Sequence, residues 1–293
     1  MPSYKILKAT LDEIVIPGLG DPNAKPPRKF FLLVNGEDRN KYQVKLNEVN
    51  QRHNINEFIA HYMGSCCEIP LLDAAFVYFD DKELKIVKEK IEMATKEYQL
   101  SLVDIDMMKQ KTFFAVKWER NITRIIGQAD LTKRVSEATN KNAFFSLYSF
   151  DQTLKNADRH PGNHLVVKRG SARYYHLIDF DRLFFHTNWS MLRPLMSDFS
   201  PIAAARWHEH LMRIPRTETM PHVHYYAGRI RSISDRDIQT MCDTILDLYD
   251  VSADEVGLIK YWMTSRKSEI VDKCLENEKY FPNVAQRSLF SAG

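Results

Sequence analysis

DQTLKNADRHPGNHLVVKRGSARYYHLIDFD, residues 151–181, is the stretch whose reading decides the fold. Asp158 opens Asp-Arg-His-Pro-Gly-Asn, and Asn163 closes that run five residues later. Leu165-Val166-Val167 reads as a short apolar strand, 168–173 as a polar turn, and 174–178 as a second strand that delivers Asp179. A carboxylate, an amide and a second carboxylate at the ends of a small hairpin are the groups that phosphoryl transfer from Mg-ATP uses. One carboxylate orients and deprotonates the acceptor hydroxyl, while the amide oxygen and the other carboxylate hold the metal against the phosphates. An Asp and an Asn at this spacing mean little alone. Asp179 on the following strand and a lysine upstream, Lys45, give the pair its weight. Asp181 reads as a helper of Asp179 or as a cap for the next segment, and Arg159 as structural.

Outward from this stretch, composition sets the bounds. A chain of 293 residues can bury a large core as one large domain or two lobes. The net charge of +3 is too small to argue for nucleic acid or a membrane surface as partner. Cys66, Cys67, Cys242 and Cys274 have neither zinc-ligand nor redox spacing, which points to free thiols in a reducing compartment. The opening MPSYKILKAT has no apolar core of a secretory signal, and no apolar run approaches the ~20 residues a membrane helix needs. The expectation is a cytoplasmic, soluble protein.

Before the decisive stretch the chain is rich in strands. Residues 4–16 carry strand-like spacing. The Gly/Pro-rich loop at 17–27 is either a solvated connection or a flexible phosphate-covering loop. Residues 30–34 and 42–46 read as paired strands, with Tyr42, Val44 and Leu46 on one face and Lys45 on the other. Asn54-Ile55-Asn56-Glu57 resembles a helix start with Asn54 as N-cap, which makes Glu57 a capping-box residue. The alternative is an ion pair from Glu57 to Lys45, the arrangement by which kinases fix a phosphate-binding lysine. The sequence leaves both open. A strand at 74–79, an amphipathic helix at 80–99 and a buried strand at 112–116 follow, then polar residues at 117–123. That polar run is the natural lobe boundary, and a hinge there can offer backbone groups to an adenine ring.

Beyond the hinge the pattern is helical. Helices are expected at 130–139 and 142–155, from Ser234 through 248, and from a capping box at Ser252-Ala253-Asp254-Glu255. Residues 186–230 read as irregular to helical. His208, His210, His222 and His224 have a spacing that suits zinc on a strand, but this region does not read as strand. His160 is expected to pack behind the loop and His164 to sit on the hairpin. The chain is therefore α+β and two-lobed, with an ATP-binding lobe at 1–118 and a catalytic helical lobe at 119–293.

The run from Phe150 to Asn163, together with Ile178-Asp179, resembles the HipA-like kinases, a group of the protein-kinase-like superfamily near the phosphatidylinositol kinases. Val44-Lys45, Asn56-Glu57 and Ile69-Pro70 match the same family upstream, and Ser265-Arg266-Lys267 resembles its closing helix. The resemblance implies a protein-kinase-like fold with ATP and Mg²⁺ as cofactors. It makes Asp158 the catalytic base and Asn163 and Asp179 the metal ligands. Lys45 becomes the phosphate contact, with Glu57 setting it in place, and Phe114 and Val116 become hinge residues. The loop at 17–27 is less glycine-rich than such a family expects. Asp179-Phe180-Asp181 also occurs in aminoglycoside-kinase-like phosphotransferases.

Three functions stay in contention at this point. One is a serine/threonine kinase acting on a protein. Another is a small-molecule phosphotransferase. The third is a non-catalytic nucleotide-binding interaction module. The resemblance also raises a toxin–antitoxin setting with a protein antitoxin or regulator as partner.

Overall fold

The structure is a computed structural model that describes residues 2–17, 19, 30–45, 52–99, 111–125, 127–156, 158–184, 189, 214–281 and 283. Five strands close a barrel: β1 (Ile6–Val15), β2 (Phe31–Gly36), β3 (Lys41–Lys45), β4 (Ala74–Tyr78) and β5 (Thr112–Lys117). Their order around the barrel is β1-β2-β3-β5-β4, and the parallel pairing of β1 with β4 closes it. Most of the Gly/Pro loop between β1 and β2 lies outside the described residues.

Alternation decides which side chains enter the barrel. On β3, Tyr42 and Val44 point in and join Leu32, Val34, Val77 and Phe113, whereas Lys45 faces out. Helix α2 (Asp81–Tyr98) packs Leu84, Val87 and Ile91 into the same cluster. It starts at Asp80, whose side chain accepts the Glu83 N–H at 2.9 Å.

Helix α1 (Arg52–Cys66) lies on the outer face of β4 and β5. Phe58, Phe76 and Phe114 meet there with ring centroids 5.1–5.6 Å apart. Rings of this size dominate such an interface through buried area and edge-to-face geometry. The chain leaves α1 past Gly64, where a Cβ would stand 2.3 Å from Leu71 Cδ1, so a larger residue there would have to displace the Leu71 side chain. That connection lies against the second sheet, since the Pro70 carbonyl accepts the Leu177 N–H at 2.8 Å.

Strand β6 (Ile122–Arg124) pairs with a hairpin of β7 (His164–Arg169) and β8 (Ala172–Leu177) in a three-stranded sheet. The helices are α3 (Gln128–Ser136), α4 (Ser146–Leu154), α5 (Arg216–Arg231), α6 (Asp235–Leu248) and α7 (Ala253–Asn277). The predicted helix at 142–155 divides into a 3-10 turn, Lys141–Phe145, and α4. Ser234 caps its helix as expected, in a capping box with Asp237, and the expected capping box at Ser252 forms with Glu255. Helices α4, α5 and α7 pack on one another, and Trp262 at their centre is fully buried with its indole N–H on the Thr153 carbonyl at 3.0 Å. The largest core cluster joins these helices to α1, β4 and β5. The architecture is α+β, with strands gathered in the first part of the chain and helices in the second. No described helix is long and apolar enough to cross a membrane. Among the described residues the four cysteines are free thiols.

Candidate active site

Helix α4 ends because Lys155 turns left-handed, at φ +50°, with its N–H directed at the last helical carbonyls. The next residues wind around a buried ion pair. Arg159 donates through Nε to Asp151 Oδ2 and through Nη2 to Asp151 Oδ1, both at 2.9 Å, and the two side chains are each 2% exposed. Its Nη1 donates to the Asn163 carbonyl at 3.1 Å and to the Ile178 carbonyl at 2.9 Å. The guanidinium also lies 4.6 Å over the Phe180 ring. Burial works against this charge, but the Asp151 carboxylate outweighs it and keeps Arg159 firmly protonated.

The remaining loop bonds are short-range. Asn156 Oδ1 accepts the Asp158 N–H at 3.1 Å, and Asn163 Nδ2 donates to the Asp158 carbonyl at 2.6 Å. The Asp158 side chain is left facing outward, 29% exposed. Pro161 opens a 3-10 turn, Pro161–Asn163, whose Gly162 N–H is accepted by His160 Nδ1 at 3.1 Å. His160 is thus an exposed cap, not the packing residue expected behind the loop. His164 on the hairpin is buried, and its Nδ1 lies 2.7 Å from the Tyr175 hydroxyl.

The hairpin brings the loop to Asp179. Ile178 N–H donates to the Asn163 carbonyl at 3.1 Å, extending the β7–β8 ladder by one step, so Asn163 and Asp179 leave the sheet at the same end. Asp179 has φ +63°, a left-handed backbone that costs an L-residue about 1 kcal/mol or more. Lys45 Nζ lies 2.6 Å from Asp179 Oδ1 and also pairs with Glu57. Glu57 Oε1 in turn accepts the Phe180 N–H at 3.0 Å.

Glu57 is therefore the ion-pair partner and not a capping residue. Helix α1 begins at Arg52, ahead of the predicted start, and puts Asn54 inside the helix. The Asn54 amide accepts the Phe114 N–H and donates to the Phe114 carbonyl, both at 2.8 Å, and the Tyr249 hydroxyl donates to Asn54 Oδ1 at 2.7 Å. Residues 53, 56 and 57 share one helical face through their i, i+3, i+4 spacing. His53 Nδ1 and Asn56 Nδ2 both donate to the Asp181 carbonyl at 2.9 Å, and Asn56 reaches the Leu183 carbonyl at 3.3 Å.

Charge follows from this geometry. Burial opposes the ionised Asp179, but Lys45 prevails and holds its pKa down at about 2. Burial pushes Asp181 up to about 6. Lys45 pulls it down, and the carboxylates of Asp179 and Glu57 push it further up. Lys45 is kept charged against its burial by Asp179, Glu57 and Asp181. Arg182 Nη1 stands 3.4 Å from Asp158 Oδ2.

Asp158, Asn163, Asp179, Lys45 and Glu57 are thus linked through one loop, one sheet end and one helix. Phe114 is not part of that group. Both of its backbone polar groups are bonded to the Asn54 amide, and its ring sits in the aromatic core. Val116 lies inside the barrel wall, opposite Gln43 on one side and Ala74 on the other. The ladder continues past it, with the Trp118 N–H on the Lys41 carbonyl at 2.8 Å, so any hinge contact falls further along the chain. His208 and His210 lie outside the described residues. His222 stacks on Phe145, and among the described residues no three His, Cys, Asp or Glu side chains group as a metal site. Magnesium does not need such a cage, because it takes one or two hard oxygen ligands from the protein and completes its shell with phosphates and water. The Asp179 carboxylate and the Asn163 amide oxygen fit that demand, and Asn163 Oδ1 takes no hydrogen bond among the described residues.

Sequence reasoning gave no role to Asp151, His53 and Arg182, and singled out Asn56 only as part of the Asn56-Glu57 motif. Of the first three, only Asp151 carried a local signal, as an acidic residue at a helix end eight positions before an arginine.

A profile of the family described as HipA-like kinase matches residues 29–193, more than half of the chain. Among solved structures, the Helicobacter pylori proinflammatory kinase CtkA superposes with a TM-score of 0.51 at 13% identity, covering 86% of this chain and 94% of that one. HipA, from a Shewanella oneidensis complex of the toxin–antitoxin pair HipA and HipB with operator DNA, gives a TM-score of 0.45 at 12% identity. That likeness covers 83% of this chain and 60% of the HipA chain. At such identities the CtkA likeness is one of fold. No curated protein matches the chain.

Proposed function

Since the chain belongs to the HipA-like kinase family, we propose that it transfers the γ-phosphate of ATP, with magnesium, to a serine or threonine hydroxyl of a protein. The observation that carries this reading is the convergence on one strand end. Lys45 sits between Glu57 and Asp179, and the Asp158–Asn163 loop is bonded to the residue just before Asp179. Residues 1–118 form the ATP-binding lobe in this reading, and 119–293 the catalytic lobe.

In the proposed chemistry Asp158 accepts the proton of the acceptor hydroxyl. Its carboxylate faces outward from a loop fixed at both ends, so the orientation is prepared before the acceptor arrives. Asp179 and Asn163 hold the metal, and Asp179 stays ionised because of Lys45. Lys45 meets the phosphates, and Glu57 aims it. Magnesium, when bound, supplies the charge that neutralises the phosphate oxygens. A chain that positions these groups and supplies no covalent intermediate works by orientation and electrostatics.

The deciding measurement is mass spectrometry of phosphosites after expression of the wild type and of Asp158→Ala. Wild-type cells gain phosphoserine or phosphothreonine sites that the variant lacks, and labelled-ATP turnover falls about 10³-fold or more. Nucleotide binding survives in Asp158→Ala and is lost with magnesium dependence in Asp179→Asn. Full turnover by Asp158→Ala sinks the assignment.

A further inference from the structure

We infer that Arg182 is a catalytic residue that clamps the transferring phosphoryl group beside Asp158. This inference rests on the proposed kinase reading of the site.

Two observations lead to it. First, the backbone that carries Arg182 is pinned on both sides. The Asp181 carbonyl accepts from His53 and Asn56, and the Leu183 carbonyl accepts from Asn56. That fixes the Cα of Arg182 and leaves only its side-chain torsions to be ordered when charge develops beside Asp158. Second, the guanidinium points at Asp158, with Nη1 3.4 Å from Oδ2. That contact is too long to count as a good hydrogen bond. The side chains are 35% and 29% exposed, and an ion pair of that kind contributes at most about 1 kcal/mol. Stability therefore does not account for it, and the pair breaks cheaply when an acceptor hydroxyl takes the carboxylate.

Among the described residues, the neighbouring cations Lys45 and Arg159 are already committed. Lys45 is held between Glu57 and Asp179, and Arg159 is buried against Asp151. Among the described residues, Arg182 is the cation paired with Asp158. In the transfer, the acceptor oxygen forms its bond to the γ-phosphorus. The bond from that phosphorus to the bridging oxygen breaks, its electron pair stays on ADP, and the hydroxyl proton passes to Asp158. Asp158 thereby loses the charge that held Arg182, while the phosphoryl oxygens beside it carry negative charge. The planar fork of arginine suits those oxygens.

The test is calorimetric and uses the full chain with magnesium and ADP, with and without aluminium fluoride as the mimic of the phosphoryl group in flight. For the wild type, fluoride tightens ADP binding. For Arg182→Ala, ADP alone binds within about 2-fold of wild type, the fluoride-dependent tightening shrinks by about 10²-fold, and kcat falls by about 10²–10³ with little change in the KM for ATP. Arg182→Lys restores part of kcat, and free guanidinium restores part of the activity of Arg182→Ala. If Arg182→Ala keeps both the fluoride effect and kcat while Asp158→Ala loses turnover, the role of Arg182 is refuted and the kinase reading stands. If the variant weakens ADP and the fluoride complex equally, the residue is merely structural and the inference falls. If the wild type binds no magnesium–ADP at all, the kinase reading itself fails and takes this inference with it.

Discussion

The candidate site has two halves that are built differently. The Asp158–Asn163 loop is braced from within. Its side-chain bonds span no more than the 19 residues between Arg159 and Ile178, and its centre is an arginine–carboxylate pair whose side chains are each 2% exposed. The other half is assembled at long range. Lys45, Glu57 and Asp179 meet across 134 residues of sequence, and Lys45 and Asp179 remain 21% and 34% exposed. The first half is a rigid mount and the second a set of charges that a ligand can rearrange. Removing one partner should therefore unfold the first half and merely disarm the second.

The largest effect is expected at Arg159. Arg159→Met leaves Asp151 without its cation in a dry pocket, frees the Ile178 carbonyl and removes one of the two donors on the Asn163 carbonyl. Breaking a buried pair from one side costs about 3–5 kcal/mol, and the loss should appear as a lower midpoint in urea unfolding with the slope unchanged. Asp151→Leu combined with Arg159→Met should recover much of it, because the uncompensated charge goes with its partner. A single Arg159→Met within 1 kcal/mol of wild type breaks the distinction between the halves.

Lys45→Met tests the other half and should cost less. Glu57, whose side chain is 4% exposed, loses its cation but keeps the Phe180 N–H, and Asp179 turns toward water. A loss of about 1–3 kcal/mol follows from stranding one partly satisfied buried group. ATP affinity should fall far more than stability does, which nucleotide titration of the folded variant measures. Equal unfolding costs at Lys45 and Arg159 would make the two halves alike.

This division also marks what was legible in the sequence. The β7–β8 hairpin and the capping boxes at Ser234 and Ser252 are local, so residue order alone indicates them. Asn54 shows the limit. Asn followed by Glu three residues later is a sound helix-start signal, yet the Asn54 amide turned instead to the Phe114 backbone, sixty residues away. One buried backbone N–H and one C=O needed partners, and satisfying them outweighed a cap that water can replace. The backbone partners of Phe114 and Val116 likewise lie far along the chain. Strand alternation tells which face a residue occupies and not which neighbour consumes its backbone. The closure of the barrel through parallel β1 and β4 left no local trace at all.

Acid separates the halves by a smaller amount, through His61. This residue lies one helical turn beyond Glu57, is 3% exposed, and has its ring 5.1 Å from the ring of Phe114. Burial, and then the charge of Lys45, push its pKa down to about 3 from the ordinary value of 6.5. The folded chain must keep the imidazole neutral, while the unfolded chain binds a proton near pH 6.5. The stability that depends on this neutrality is complete above pH 6.5 and is lost as pH falls toward 3, at about 1.4 kcal/mol per unit. Between pH 7.5 and pH 5 the wild type should lose about 2 kcal/mol through this group. His176, pushed down by its own burial, acts in the same direction. Asp181, raised to about 6, acts in the opposite one, since its protonation favours the folded state as pH falls. Asp179, held near 2, enters only below pH 4. The comparison of His61→Phe with wild type cancels these contributions and keeps the ring packing on Phe114. Urea unfolding at pH 7.5, 6 and 5 should show the variant losing about 2 kcal/mol less than wild type over that range. Parallel curves would mean that His61 finds a partner for its proton in the folded chain, and that α1 does not release Lys45 and Glu57 in acid before the Asp151–Arg159 mount gives way.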